Sequence, residues 1–310
     1  MLRFALELLP SLAIGLLLGR FLPGLPARLA PPLVRWGVPI GVAGLLLRSQ
    51  LHSDLLIAGL MAALASGGGL LLIRFVSMLR TSLPCGSLQL GSVVGNTAYW
   101  GLPTALALLP PEALAAVISY DLVGTLVTWS VGPLLVEGRA ARPGALAAAL
   151  AGSPASRGLL VALLLGLSPW REPLAAVLWW PARGVVLLAL SLVGMRLALM
   201  LRSRSNPGPG PHPLDGGRRS LGIALLAKLV LLPAALLGVT ALLPLPELLG
   251  DAVVLQAAAP TAISVLLIAE EAETRGRTGE AAPAAALVLG STLCALVSVP
   301  LWWLLLQRFP

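Results

Sequence analysis

Two long apolar segments of this chain are each interrupted by a proline near the middle, and no other feature of the sequence constrains the fold as much. The first segment covers residues 83–109 and contains Pro103, and the second covers 248–269 and contains Pro260. In a bilayer an unpaired backbone N–H or C=O costs several kcal/mol, so irregular backbone is tolerated only where it is buried in protein or lines a cavity. Because proline removes a donor and clashes with the preceding turn, we predict a helix break between about residues 98 and 104, and a second near 260.

The two segments also share a short sequence at the position of the break. Pro-Thr-Ala occurs at residues 103–105 and again at 260–262. One such proline alone would indicate a kinked, purely structural helix. Two interrupted apolar segments at corresponding places in two halves of a chain indicate the binding site of a secondary transporter.

Composition supports an all-α membrane protein. Hydrophobic residues make up 57% of the 310 residues, charged residues only 11%, and the mean hydropathy is +0.93. A soluble domain carries about 25% charged residues. With about 17–25 apolar residues needed for each crossing, we predict ten membrane spans. Their ranges are 4–21, 32–47, 54–76, 83–109, 112–136, 157–167, 173–201, 220–243, 248–269 and 281–306.

The arginines predict how these spans are oriented. Fourteen arginines fall in the loops after spans 1, 3, 5, 7 and 9, and four fall on the other side. Loops rich in Arg and Lys face the cytoplasm, so both termini are predicted to lie outside. The net charge of +8 therefore has a topological explanation and does not indicate nucleic-acid binding. The bias of 20 arginines to one lysine is compatible with a GC-rich bacterial genome, hence with a bacterial plasma (inner) membrane.

The domain organisation predicted from the ten spans is an inverted repeat. Residues 1–136 form one five-helix repeat and 157–310 the other, joined by a low-complexity cytoplasmic linker at 137–156. Because each half has an odd number of spans, the halves face opposite ways across the membrane. A Pro/Gly-rich loop at 202–219 is predicted to be irregular.

If spans 4 and 9 break and cross, two half-helix N-termini meet, near Thr104 and Thr261. Such N-termini carry a partial positive charge and unpaired N–H groups, which favour an anion. The alternative for the two amides is that Asn96 and Gln256 pair with each other and hold the helices together. The candidate substrate-binding residues at the two breaks are Asn96, Thr97, Tyr99, Gly101, Pro103, Thr104, Gln256, Pro260, Thr261 and Ser264.

Ionisable residues within spans are costly in lipid and are functional candidates. Asp121 in span 5 either carries a coupling proton or pairs with Lys228 in span 8. Arg196 is interpreted as reaching towards the cytoplasmic surface, and the charged residues at 270–277 as a solvated turn. Cys85 and Cys294 have no metal-ligand spacing, so neither a metal nor a cofactor is predicted.

Several stretches together resemble the auxin efflux carrier family of permeases. They are 96–104, 228–233, 258–262, Ser291-Thr292 and Pro300. The resemblance implies ten helices in two inverted five-helix repeats with helices 4 and 9 crossed. It also implies a fold similar to bile-acid/sodium symporters and sodium/proton antiporters, and organic anions such as auxins and dicarboxylates as substrates. In this chain it makes Asn96 a substrate contact and places Pro103 and Pro260 at the crossing.

These observations favour a permease that moves a small organic anion across the bilayer by alternating access, and they allow a homodimer. One alternative is a sodium-coupled symporter of the bile-acid type, although no carboxylate lies at either break. Another is a channel. An intramembrane enzyme is disfavoured because His52 and His212 fall in predicted loops and no Asp-x-x-x-Asp motif occurs.

Overall fold

The protein is helical throughout the part of the chain described by its computed structural model, residues 2–48, 53–138, 143–152, 154–205 and 217–308. Within these ranges no β-strand occurs, and the only β-type pairing is an isolated bridge. The helices are α1 (Leu2–Phe21), α2 (Leu25–Arg48), α3 (53–75), α4 (Ser77–Ser82), α5 (Gly86–Gly91), α6 (97–108), α7 (Leu114–Val136), α8 (Pro143–Gly152), α9 (Pro154–Gly166), α10 (Arg171–Ser205), α11 (Arg218–Leu242), α12 (Glu247–Ala258), α13 (Ile263–Thr274) and α14 (Ala281–Leu306).

Six of the described helices are long and apolar enough to cross a membrane, namely α2, α3, α7, α10, α11 and α14. The predicted spans 1 and 6 correspond to α1, of 20 residues, and α9, of 13 residues. The predicted spans 4 and 9 are each divided in two, into α5 and α6 and into α12 and α13. The prediction of an all-helical membrane protein is confirmed.

Some boundaries differ from the sequence-based ones. α2 begins at Leu25, seven residues before the predicted start, with Pro31 and Pro32 inside it. Residues 143–152 of the predicted linker form a helix, consistent with their alanine content, since alanine is the best helix former. The irregular loop predicted at 202–219 overlaps the end of α10, and its residues 206–216, with His212, lie outside the described residues, as does His52.

Four helices contain a π-helical turn, and two of these turns matter for the site. The turn at Thr97–Gly101 ends two residues before Pro103, and the turn at Ala227–Leu231 ends two residues before Pro233. A proline inside a helix clashes with the carbonyl one turn earlier. A wider π turn at that point gives the ring room, so the helix continues through the proline.

The helices pack in two groups, each drawing on both halves of the chain. We call α1, α2, α9 and α10 the panel, because α1 packs along α10, and α2 packs against α9 and α10. We call α3, α5–α7 and α11–α14 the crossover group, in which α7 contacts α3, α12 and α13. Small residues allow close packing: a Cβ atom placed on Gly15 of α1 would lie 2.0 Å from the carbonyl oxygen of Ser191 on α10.

Candidate functional site

The two interrupted segments meet at their breaks. The backbone N–H of Asn96 donates to the carbonyl of Pro260 at 2.6 Å, and that of Ala262 donates to the carbonyl of Val94 at 3.4 Å. Between these contacts, Gly95 and Thr261 form an antiparallel bridge. Each stretch of irregular backbone therefore supplies hydrogen bonds to the other, which is what allows both to be buried. The breaks lie side by side, as predicted.

The position predicted for the first break is wrong. Residues 98–104 are helical, and the non-helical stretch lies upstream, at 92–96. The physical reason is the π turn before Pro103, which accommodates the proline without breaking the helix. The second break, at 259–262, contains Pro260 as predicted. The half-helix N-termini therefore lie at Thr97, seven residues before the predicted Thr104, and at Ile263, close to the predicted Thr261.

Thr261 holds three elements together at the crossing. Its hydroxyl donates to the carbonyl of Gly91 at 2.8 Å, and its backbone N–H donates to the hydroxyl of Ser291 at 3.0 Å. Its side chain is completely buried. These bonds connect the end of α5 and the middle of α14 to the second break, so Thr261 has a structural part in the crossing.

A cavity of about 770 Å³, including the space open to the outside, lies between the panel and the crossing. The starts of both half-helices line it, through residues 95–99 and 262–264. The first N–H groups of a helix have no partner within the helix, and together with the helix dipole they favour a negatively charged ligand. The opposite wall is apolar and consists of Leu33, Val34, Val38, Gly41, Val42, Leu45, Val185, Val186 and Leu192.

The predicted site residues divide into two sets. Asn96, Thr97, Tyr99 and Ser264 line this cavity together with Asp121. Outside it, the hydroxyl of Thr104 donates to the carbonyl of Trp100 at 2.8 Å, and Pro103 lines a smaller neighbouring cavity. The remaining residues that do not line the cavity are Gly101, Gln256, Pro260, Thr261 and Lys228.

The two amides of the predicted site do not pair with each other. The Gln256 side chain is 1% exposed, and neither of its amide atoms has a hydrogen-bond partner within the described ranges. It packs over Gly101, where a Cβ atom would lie 2.1 Å from its Oε1. Asn96 is also buried but lines the cavity. The alternative of an Asn96–Gln256 pair is therefore not what the structure contains.

Asp121 and Lys228 do not form an ion pair either. The Asp121 carboxylate accepts hydrogen bonds from the hydroxyls of Thr97 at 2.6 Å and Thr125 at 3.5 Å. The Lys228 side chain is fully buried, and its Nζ donates to the carbonyl of Ala257 at 2.5 Å. A Cβ atom on Gly95 would lie 3.4 Å from that Nζ. Lys228 therefore lies against the backbone of the crossing and does not line the cavity.

Three residues of α7 that line the cavity were not predicted: Thr125, Thr128 and Trp129. Thr125 and Thr128 follow Asp121 by four and seven residues, which places all three on one helix face. That spacing was a usable signal. No comparable signal marked the apolar wall from α2 and α10, because nearly every segment of this chain is apolar.

The fold defines an integral membrane protein, in which a cavity lies beside the crossing of two broken helices. A family model described as a membrane transport protein matches residues 144–303, just over half of the chain. The chain therefore belongs to this membrane transport family, which is of the auxin efflux carrier type, and it is a transporter. A search of curated proteins returned no match.

Proposed function

We propose that this transporter moves a small organic anion across the membrane by alternating access at the crossing. The observation that carries the proposal is the convergence of two half-helix N-termini, at Thr97 and Ile263, with the buried side chain of Asn96 on one cavity. N–H groups and an amide bind a carboxylate well, since hydrogen bonds to charged groups are the stronger ones.

Within this proposal the anion has one carboxylate and an apolar body. Among the described residues that line the cavity, only Asp121 and Tyr99 carry an ionisable side chain. The panel side of the cavity is aliphatic. A second carboxylate on the substrate would face that aliphatic wall, where an unpaired charge is costly. Monocarboxylates are thus favoured over dicarboxylates.

The proposal includes coupling of transport to a cation, because the Asp121 carboxylate lines the cavity where the anion would bind. Two like charges about 4 Å apart repel by about 4 kcal/mol at an effective dielectric constant of about 20. An anion therefore binds beside Asp121 only when that carboxylate is neutralised, and we propose that a proton does this. The alternative is a sodium ion held by Asp121 and the hydroxyl oxygens of Thr97 and Thr125. Uptake measured with and without sodium distinguishes the two.

The proposed architecture retains ten membrane spans as two inverted repeats, at residues 1–136 and 157–310, in a bacterial inner membrane with both termini outside. In support, α5 with α6 and α12 with α13 each form one interrupted segment, and α1 and α9 supply the two shorter apolar helices. A homodimer is also compatible with this arrangement.

Ligand binding to the purified protein tests the proposed function. We expect a series of monocarboxylates to include compounds that raise the unfolding temperature, and matched dicarboxylates to raise it less. In Asn96→Ala, the loss of a hydrogen bond to a charged group, worth about 1.5–3 kcal/mol, weakens apparent affinity by roughly 10- to 100-fold.

Gln256→Leu is the matched control, because it removes a buried amide that does not line the cavity. We expect it to leave affinity near that of the unmodified protein. If Asn96→Ala binds as tightly as Gln256→Leu, Asn96 is not a substrate contact. If no carboxylate stabilises the unmodified protein, an organic anion is not its substrate.

A further inference from the structure

An ion pair joins the panel to the crossover group beside the cavity. The guanidinium of Arg196 on α10 binds the carboxylate of Glu270 on α13 through two hydrogen bonds, at 2.6 and 3.0 Å. The Arg196 side chain is 16% exposed and that of Glu270 is 36% exposed. A two-bond guanidinium–carboxylate contact fixes the relative position of its two helices as well as neutralising the charges. Arg196, interpreted from the sequence as reaching towards the cytoplasmic surface, therefore also has a specific partner on another helix.

The position of this pair along the two helices places it one helical turn from residues that line the cavity. Arg196 follows the cavity-lining Leu192 by four residues, and Glu270 follows the cavity-lining Leu267 by three. Residues three or four apart share a helix face and are about 4.5–6 Å apart along its axis. Both charged side chains therefore lie one turn beyond the cavity, at the end of each helix that leads to the arginine-rich loops.

Other ion pairs at this end of the molecule connect different elements. Arg275 binds Glu137, just after α7, at 2.6 Å and Glu271 of α13 at 2.7 Å. All three residues belong to the crossover group or its connections. Residues 271 and 273–277 are exposed, as the interpretation of a solvated turn requires, and their ion pairs also connect helices. Arg275–Glu137 thus has the same chemistry as Arg196–Glu270 without crossing the boundary between the two groups.

One hydrogen-bond donor of Arg196 is not used in this ion pair. Its Nε is buried and makes no hydrogen bond to any described residue. A guanidinium presents donors on more than one edge, so this donor remains unused while Glu270 is bound to the other two nitrogens. Separation of the pair would make it available to an anion that enters or leaves the cavity.

We propose that the cavity opens past Arg196 and Glu270, that this pair forms the gate there, and that a passing anion exchanges with the Glu270 carboxylate on Arg196. The inference rests on the proposed function in one respect, the use of the cavity as the transport route. In the closed gate the two helices are held together by the ion pair. In the open gate the pair is separated, and Arg196 is available to the carboxylate of the anion.

Thiol labelling inside the cavity tests the gate without knowledge of the substrate. The free cysteines Cys85 and Cys294 are replaced by serine, and Ser264→Cys places a single thiol on the cavity wall. The purified protein is treated with an anionic methanethiosulfonate and, separately, with a cationic one. We expect Arg196→Gln and Glu270→Gln each to speed labelling by about tenfold, a shift equivalent to about 1.4 kcal/mol.

The two reagents add a charge signature that a general loosening of the protein would not give. Glu270→Gln frees the guanidinium and should favour the anionic reagent, whereas Arg196→Gln leaves the carboxylate and should favour the cationic one. The exchanged pair Arg196→Glu with Glu270→Arg should restore slow labelling.

Arg275→Gln is the matched control, and its labelling rate should equal that of the parent. Equal rates for the parent, Arg196→Gln and Glu270→Gln would overturn the gate, as would an equal acceleration by Arg275→Gln. A failure of the proposed function has a different result, since carboxylates would then give no protection of the Ser264→Cys thiol while the gate variants still labelled faster.

Discussion

Asn96 and Gln256 are both buried amides at the crossing, but their surroundings give them different parts. Asn96 borders the cavity, while Gln256 packs over Gly101 with no hydrogen-bond partner in the described part of the chain. Asp121 and Lys228 differ in the same way: the carboxylate lines the cavity and the ammonium group binds a backbone carbonyl. Contact with the cavity, more than depth of burial, therefore distinguishes the candidate substrate contacts from the structural residues.

Asp121→Asn separates coupling from folding. The substitution keeps the shape and can still accept the Thr97 hydrogen bond, but it removes the charge and the titration. We expect the variant to fold and to bind the anion while the pH dependence of transport is lost. Uptake into proteoliposomes over a series of pH values, with binding measured in parallel, checks this.

Asp251→Asn, on α12 and away from the cavity lining, is the control and should keep the pH profile of the parent. A purely structural role of the carboxylate towards the Thr97 and Thr125 hydroxyls would instead make Asp121→Asn unstable. An unchanged pH profile in Asp121→Asn would remove the coupling assignment.

At the scale of the element, the helices of this protein are shaped by where glycine and proline lie relative to a neighbour. The π turn at Thr97–Gly101 lets α6 pass through Pro103. On α10, Gly194 lies so close to α1 that a Cβ atom would be 2.3 Å from the carbonyl oxygen of Leu12, whereas a Cβ atom on Gly184 would meet nothing within 4 Å. Position 194 therefore has no room for a side chain, whereas position 184 has room for one.

Gly194→Ala should destabilise the protein, because the clash is with backbone and α1 and α10 must move apart. Overpacking of this kind costs about 1–3 kcal/mol. Gly184→Ala should be neutral or stabilising by up to about 1 kcal/mol, since alanine is the better helix former. Unfolding temperatures of the two purified variants, compared with the parent, measure the difference. Equal effects would show that α1 and α10 do not need this close approach.

At the scale of the whole molecule, the panel and the crossover group each combine helices from both halves of the chain. The cavity lies where the two groups meet, and the Arg196–Glu270 pair connects them across that boundary. A movement of one group against the other would change access to the crossing without rebuilding either group. That arrangement suits alternating access.

Membrane topology can be measured at two exposed positions. Thr278 lies in the loop after α13, which the arginine count places in the cytoplasm, and Glu247 begins α12 on the opposite side. In intact cells, an impermeant thiol reagent should label Glu247→Cys and leave Thr278→Cys unlabelled until a permeant reagent is added. Labelling of Thr278→Cys by the impermeant reagent would refute the orientation.

The class of protein and the approximate place of the candidate site follow from the amino-acid sequence. An apolar chain with few charges must satisfy its backbone within helices in a bilayer, so the all-helical fold followed from composition. Pro260 marked the second break, and the family match, over residues 144–303, supports the resemblance seen at 258–262. These features are local or compositional, and a chain carries them whatever its tertiary contacts.

The location of the first break and the set of residues that border the cavity depend on contacts between distant parts of the chain, which the sequence does not display. The non-helical backbone at 92–96 is stabilised by Pro260 and Ala262, which are distant in the chain, so Pro103 by itself did not locate it. The apolar wall from α2 and α10 looks like every other apolar segment until the helices pack. Packing of the helices also determines which polar groups are close enough to bond. The Thr261 hydroxyl therefore donates to the Gly91 carbonyl, and the Lys228 Nζ donates to the Ala257 carbonyl.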